Sequence, residues 1–262
     1  MWKAVVAGAL ALCTAGAGAA AELKSETVAA FDSYIRTTEA RIAAQASGKR
    51  SFLWTDESPQ RRDLVRNGQI VAQPWNGRGE VQVPSGLIHD WIGAVFIPGV
   101  SLEGVLALVR NYDNHYRIYQ PEVLASKTLQ HDGNHYKIYL RLLKKKIITV
   151  VLNTEHEINY YPLGATRLHS RSYSTRIAEV ENPGERSERE LPVGEGHGFL
   201  WRVYSYWRFE ERDGGVYMEC QAVSLTRDIP TGFGWLIEPV IRDLPKESLM
   251  RTLEGTRQAL KK

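Results

Sequence analysis

Cysteine is almost missing from this sequence. Its 262 residues hold two, Cys13 and Cys220. Cys13 lies in a leading segment that reads as a cleaved signal, so Cys220 is left alone and no internal disulfide can form. A catalytic thiol needs a thiolate-stabilising neighbour, and none stands near Cys220 in sequence. By default it is a small buried hydrophobe. The sequence also lacks a Gly-x-Ser-x-Gly elbow, a Cys-x-x-Cys pair and a glycine-rich phosphate loop. These absences exclude the hydrolase elbow, the dithiol redox centre and the nucleotide cradle in their recognisable forms. There is no internal repeat. Neither sign of charge dominates: 33 Lys and Arg face 30 Asp and Glu, for a net charge of +3. The basic residues are scattered, and nothing demands a nucleic-acid partner. The densest basic run, Lys144-Lys145-Lys146, sits between apolar β-rich segments and reads as a solvated hairpin tip. Transient contact with an anionic membrane surface is the alternative for it.

Long hydrophobic runs are missing everywhere but at the start. Met1-Trp2-Lys3 is a short positive opening, residues 4–15 are apolar, and Ala19-Ala20-Ala21 is a small-residue cleavage pattern. This predicts a secretory signal peptide, cut near Ala21-Glu22. Its apolar run is short for a membrane span. Leu12 precedes Cys13 where a lipoprotein signal wants a small residue. The mature chain is expected to be soluble and periplasmic or secreted. The full sequence, 43% hydrophobic and 24% charged, has ordinary globular composition.

What is present reads in order. Val28, Phe31, Ile35, Thr38 and Ile42 recur at spacings of three and four, one face of an amphipathic helix over about residues 24–45. Ser58-Pro59 predicts a capped helix start and Gly68 its stop. Residues 22–78 therefore read as a helical extension, and 79–262 as the main domain. Residues 81–97 read as one strand, with Pro84 at an edge or bulge. Ser101 predicts the cap of a short helix bearing Leu102, Val105, Leu106 and Val109, and residues 111–120 another helical turn. Strands follow at 123–130, 136–143, 147–160, 166–177, 199–212 and 216–230, with Asp132-Gly133 and Asp213-Gly214 as hairpin signals. Residues 182–198, rich in Gly, Pro and charge, read as a mobile loop. Pro230 ends the last strand. The final helix covers about residues 233–260, with Ile237, Val240, Ile241 and Leu244 on one stripe and Leu249, Leu253, Thr256 and Leu260 on another; Pro239 and Pro245 are expected to kink or divide it. An antiparallel sheet with one apolar face needs a cover, and this helix supplies it.

Two strands carry more information. On the last, Val216, Met218, Cys220, Ala222 and Ser224 are expected inside, and Tyr217, Glu219, Gln221, Val223 and Leu225 outside, with Glu219 and Gln221 in water. The inward set shrinks along its length. Interiors are close-packed, so either a neighbour fills the room or a ligand does. On the strand before it, Arg202, Tyr204, Tyr206 and Arg208 make a face too aromatic for bare solvent and too charged for a core. The helical extension is expected to cover it.

The segments FIPGVSLEGVLALVRNYDNHYRIYQPEVLASKTL, WRVYSYWRFEERDGGVYMECQAVSLT and WLIEPVIRDLPKESLMRTLEGTRQAL resemble, in order, an early strand with short helices, the last two strands and the closing helix of the START-like (SRPBCC) superfamily. The flavour is that of the coenzyme-Q-binding, polyketide-cyclase-like bacterial group. The resemblance covers about the last 180 residues and rests on fold patterns. It implies an α+β helix-grip fold: a curved antiparallel sheet of about seven strands wrapped around a long C-terminal helix, preceded here by the helical extension. It also implies an apolar cavity between sheet and helix, holding a lipid, quinone or similar apolar small molecule.

The expected ligand-binding residues are His89 and Trp91 on the first strand, Leu140, Leu152 and His156 on the middle strands, Trp201 and Trp207 on the penultimate strand, Met218, Cys220, Ala222 and Ser224 on the last, and Arg227 at the rim. No catalytic residue, cofactor or metal is assigned. His131 and His135 flank a turn without a third ligand, so they read as a solvated hairpin. In the enzymatic alternative, a cyclase, aromatase or hydrolase, His89 or His156 is the acid–base. A further alternative is an envelope structural or partner-binding protein whose interface is the aromatic-basic face or the 182–198 loop.

Overall fold

A computed structural model describes residues 22–145, 149–228 and 234–261, with the backbone alone over 234–243. The signal segment, the Pro230 stop and the side chains of the Ile237, Val240 and Ile241 stripe lie outside the described residues. The helical extension begins with α1 (Ser25–Ala46), whose buried positions are Thr27, Phe31, Ile35, Thr38, Ile42 and Gln45. A 3-10 turn, Trp54–Glu57, precedes α2 (Pro59–Arg66). The Ser58 hydroxyl accepts from the Arg61 N–H at 3.3 Å, and Gly68 turns the chain at φ +87°. The predicted cap and stop are therefore the observed ones.

The strand expected over 81–97 is two strands. β1 (Val71–Pro74) comes first, then β2 (Glu80–Val83) and β3 (Gly86–Pro98). Val83 pairs with Gly86, so Pro84 and Ser85 form a tight hairpin turn, Ser85 taking φ +55°. Proline suits such a turn because its φ is already fixed and no N–H is lost from the ladder. Ser101 caps α3 (Leu102–Val109) through the Gly104 N–H at 3.1 Å. A 3-10 turn at Tyr112–Asn114 and the short α4 (His115–Ile118) follow.

The long strands are β4 (Val123–Asp132), β5 (His135–Lys145), β6 (Thr149–Pro162), β7 (Arg167–Glu181), β9 (Arg202–Arg212) and β10 (Gly215–Arg227); β8 (Arg189–Glu190) is a two-residue pairing on β7. They form one antiparallel sheet in the order β1-β3-β10-β9-β7-β6-β5-β4, with β2 on β3 and β8 on β7. Besides the seven expected strands, the sheet holds the short β1, β2 and β8. The 182–198 segment is tied down. β8 pairs there, and the Glu179 carboxylate accepts from the backbone N–H of His197 (2.8 Å) and of Phe199 (3.1 Å). The last helix, α5 (Gly234–Leu260), is one element; Pro239 and Pro245 lie inside it without dividing it.

α5 packs on β3 and β10. Cys220 stands opposite Gly93, and a Cβ on Gly93 would lie 2.9 Å from Leu253 Cδ1, 3.1 Å from Leu249 Cδ2 and 3.2 Å from the Val71 carbonyl. Met218, Cys220, Leu249 and Leu253 are buried together in one core cluster. At this level the room left by small side chains is filled by the helix.

The opposite face of β10 is also buried, against expectation. Glu219 and Gln221 are both 0% exposed because the N-terminal segment lies over them. Glu219 accepts from the N–H groups of Trp54 (2.8 Å) and Thr55 (2.7 Å), from the Thr55 hydroxyl, and from Arg208 Nε at 3.1 Å. Arg208 Nη1 donates to Gln45 of α1 at 2.8 Å. Gln221 donates to Asp90 and accepts from Arg41 at 2.6 Å. Tyr206 donates to Glu39 at 3.0 Å, and Phe31 meets Tyr204 edge-on, ring centres 5.3 Å apart. The aromatic-basic face thus lies under α1.

Two measurements check this packing. Gly93→Ala should lower stability by on the order of 1–3 kcal/mol through overpacking, read from urea unfolding. Glu219→Ala strands the Arg208 guanidinium in a dry site and should cost roughly 3–5 kcal/mol in the same assay.

Candidate functional site

Seated over β3 and β10, α5 leaves the concave face of β5, β6, β7 and β9 partly uncovered. Strand alternation sends Ile138 and Leu140 of β5, and His156, Ile158 and Tyr160 of β6, to that face. Ser170 and Ser172 of β7, with Val203, Ser205, Trp207 and Phe209 of β9, join them. The short helices close one side with Tyr112, His115 and Tyr119, and α5 the other with Thr252 and Gly255. Together they line a cavity of about 470 Å³. The room exists because β7 and β9 carry serines side by side: Ser172 pairs with Ser205, and Ser170 with Trp207.

Its lining is largely apolar, and its tyrosine, serine and imidazole groups are uncharged. The Tyr112 and Tyr160 hydroxyls bond each other at 2.6 Å. The Tyr119 hydroxyl meets Thr256 at 3.0 Å. His115 Nε2 bonds the Val109 carbonyl at 3.0 Å, and His156 Nε2 meets the Thr154 hydroxyl at 3.0 Å. Burial lowers both imidazoles to about 4, so they are uncharged at neutral pH. Burial pushes the Tyr119 hydroxyl up to about 12 and those of Tyr112 and Tyr160 upward as well. Charges reach the cavity at its edge, where Lys144 donates to Glu122 (2.6 Å) and Ser248 (2.7 Å), and Arg251 to Glu122 (3.0 Å). Lys144 is therefore a bonded rim residue and not part of a solvated tip. A smaller cavity of about 210 Å³ adjoins these same residues beside Pro121, Leu143 and Leu244. Such an interior can hold an apolar molecule and hydrogen-bond it at a few points. Imidazoles at about 4 are weak bases for proton abstraction at neutral pH.

Of the residues singled out in the sequence, Leu140, His156 and Trp207 line the cavity. The others stand elsewhere. Met218 and Cys220 are packed under α5, and burial pushes the Cys220 thiol up, far from thiolate. Ala222 lies between Trp91 and Ser205, and Ser224 between His89 and Val203, one strand away from the cavity. His89 is 1% exposed with Nε2 on the Thr226 hydroxyl at 3.0 Å. The Trp91 ring lies under the Lys246 ammonium, 6.0 Å from its centre. Leu152 is buried opposite Leu142. Trp201 precedes β9 and so escapes its alternation; it packs with Phe31 and Ile88 under α1. Arg227 donates to the His197 carbonyl at 3.1 Å and ties down the 182–198 segment. His131 stacks on Tyr136, ring centres 4.1 Å apart. Sequence reasoning missed the tyrosines and His115 of the short helices and the serines of β7 and β9. The serines were legible as small residues on an inward parity; the tyrosines carried no such mark.

No protein-family model and no curated protein matches the chain. Solved structures do. A STAR-related lipid transfer protein from Xanthomonas axonopodis matches with 17% identity, covering 70% of this chain and 99% of its own, at a TM-score of 0.48. The Zhui aromatase/cyclase from Streptomyces sp. R1128 matches with 11% identity over 66% of this chain and 94% of its own, at 0.44. Human STARD10 matches with 10% identity over 68% and 73%, at 0.43. The helix-grip arrangement expected from the sequence is met by the chain's own antiparallel sheet and its closing α5. None of these three structures is described as coenzyme-Q-binding.

The buried imidazoles set a pH dependence. His89, His115 and His156 are lowered to about 4 by burial, below the unfolded value near 6.5. The unfolded chain therefore binds more protons, and their contribution is fully present above pH 6.5 and lost as pH falls toward 4. Asp90, raised to about 6 by burial, works the other way: its contribution grows as pH falls through 6. The loss per histidine at pH 5 is roughly 2 kcal/mol. Urea unfolding should show lower stability at pH 5 than at pH 7, and His156→Phe should shrink the difference by about that amount.

Proposed function

We propose that the protein binds an apolar small molecule, a lipid, quinone or similar compound, in the cavity between sheet and α5, after export to the periplasm or beyond. The observation that carries this is the cavity itself: about 470 Å³, its wall mostly aromatic and aliphatic, with uncharged serine, tyrosine and imidazole groups and with charge confined to Glu122, Lys144, Arg251 and Glu254. Small-molecule sites typically span about 300–1,000 Å³ with this kind of lining. Export is supported by the signal pattern over residues 1–21. Among the described residues no helix is long and apolar enough to cross a membrane.

Solvent extraction of the purified mature protein, followed by mass spectrometry, should release an apolar molecule, and the emptied protein should bind pyrene. Ser172→Trp places an indole in the cavity. It should weaken pyrene binding at least tenfold while leaving the thermal unfolding midpoint nearly unchanged. A protein that carries nothing and binds no pyrene would falsify the reading.

A further inference from the structure

His156 is 7% exposed and projects from β6 into the cavity. Its protonation pattern follows from its neighbour. The Thr154 hydroxyl donates its one proton to the Leu140 carbonyl at 3.1 Å. That oxygen can therefore only accept from His156 Nε2, 3.0 Å away. Nε2 carries the hydrogen, and in a neutral imidazole Nδ1 is then a bare acceptor. No described residue bonds to Nδ1, and it is not among the fully buried, unpaired polar atoms of the described residues. The ring is nearly buried and lines the cavity, which leaves Nδ1 opening on the cavity. The serine hydroxyls elsewhere in the lining rotate to donate or accept; the imidazole nitrogen has no such choice.

We infer that the ligand carries a hydroxyl group, as an alcohol, phenol or hydroquinone does, and that His156 Nδ1 receives its proton in a hydrogen bond. This rests on the cavity being the ligand site. An ether, ester or oxidised quinone offers acceptors alone and would leave Nδ1 unpaired after burial, with a penalty of roughly tenfold in affinity. The reduced, hydroxylated form of such a molecule is then selected over the oxidised or capped form.

The test has two independent readings. Long-range nitrogen–proton NMR of the histidine-labelled protein at pH 7 should show His156 protonated at Nε2. Fluorescence titration should show 1-hydroxypyrene binding about tenfold tighter than 1-methoxypyrene, which keeps the oxygen and loses the donor. In His156→Phe that preference should vanish, 1-hydroxypyrene and 1-methoxypyrene then binding with equal affinity. An Nδ1-protonated tautomer, equal binding of the two pyrenes by the unaltered protein, or a preference that survives in His156→Phe would each overturn the inference while leaving the cavity reading intact. Failure of all three pyrenes to bind would overturn the cavity reading, and this inference with it.

Discussion

The rest of the architecture depends on how closely α5 approaches the sheet at Gly93. A glycine on β3 beside a cysteine on β10 lets Leu249 and Leu253 sit almost on the backbone. Any side chain there would lift the helix. With the helix held down on β3 and β10, the curved sheet falls away beneath it toward β5 and β6, and the short helices must close what remains. The cavity is the volume left between a helix fixed at one side and a sheet that curves out of its reach. Its place is set by a contact that is not part of it.

The second layer explains why a strand in the middle of the sheet is buried on both sides. The N-terminal helices cover the convex face, and that face carries charge. A buried ion pair such as Arg208–Glu219, with side chains 2% and 0% exposed, gains little over an apolar pair of the same size, because both ions lose their water. Its geometry is more informative. Glu219 accepts two consecutive backbone N–H groups at the start of the Trp54–Glu57 turn, while Arg208 reaches the last turn of α1. One pair on neighbouring strands thus fixes both parts of the N-terminal layer. An apolar face would hold that layer without registering it so closely.

Much of this was legible in the sequence and some was not, for physical reasons. Period-two alternation and Asp-Gly turns located the long strands, and serine caps located the helices, because these signals are local. β1, β2 and β8 are too short to show alternation. Glu219 and Gln221 read as solvent-facing because polarity marks a solvent face only when nothing covers it, and their covers, the Trp54–Glu57 turn and α1, lie 165 and 180 residues away in sequence. The shrinking face of β10 posed a real question, and the answer at Cys220 was the tight helix crossing. The same reasoning applied to Ser170, Ser172 and Ser205 points at the cavity. Small residues on an inward face say that something comes close or that nothing does; only the position of α5 separates the two.

Charge is arranged so that most of the cavity wall stays neutral. The convex network keeps its ions between sheet and N-terminal layer. Lys144, Glu122 and Arg251 pair with one another at the rim. Inside, burial strips the imidazoles of charge and holds the tyrosines protonated. A charged group entering the apolar part of this interior, away from Lys144, Glu122, Arg251 and Glu254, would lose its water without a partner, an expensive transfer. A neutral body with a hydroxyl loses only one or two water hydrogen bonds and can replace them. The same desolvation that makes the histidines poor bases at neutral pH makes them good acceptors, since an imidazole kept uncharged keeps a lone pair to offer. Burial therefore does two things with one physical cause: it disfavours charged ligands and leaves a directional acceptor for neutral ones.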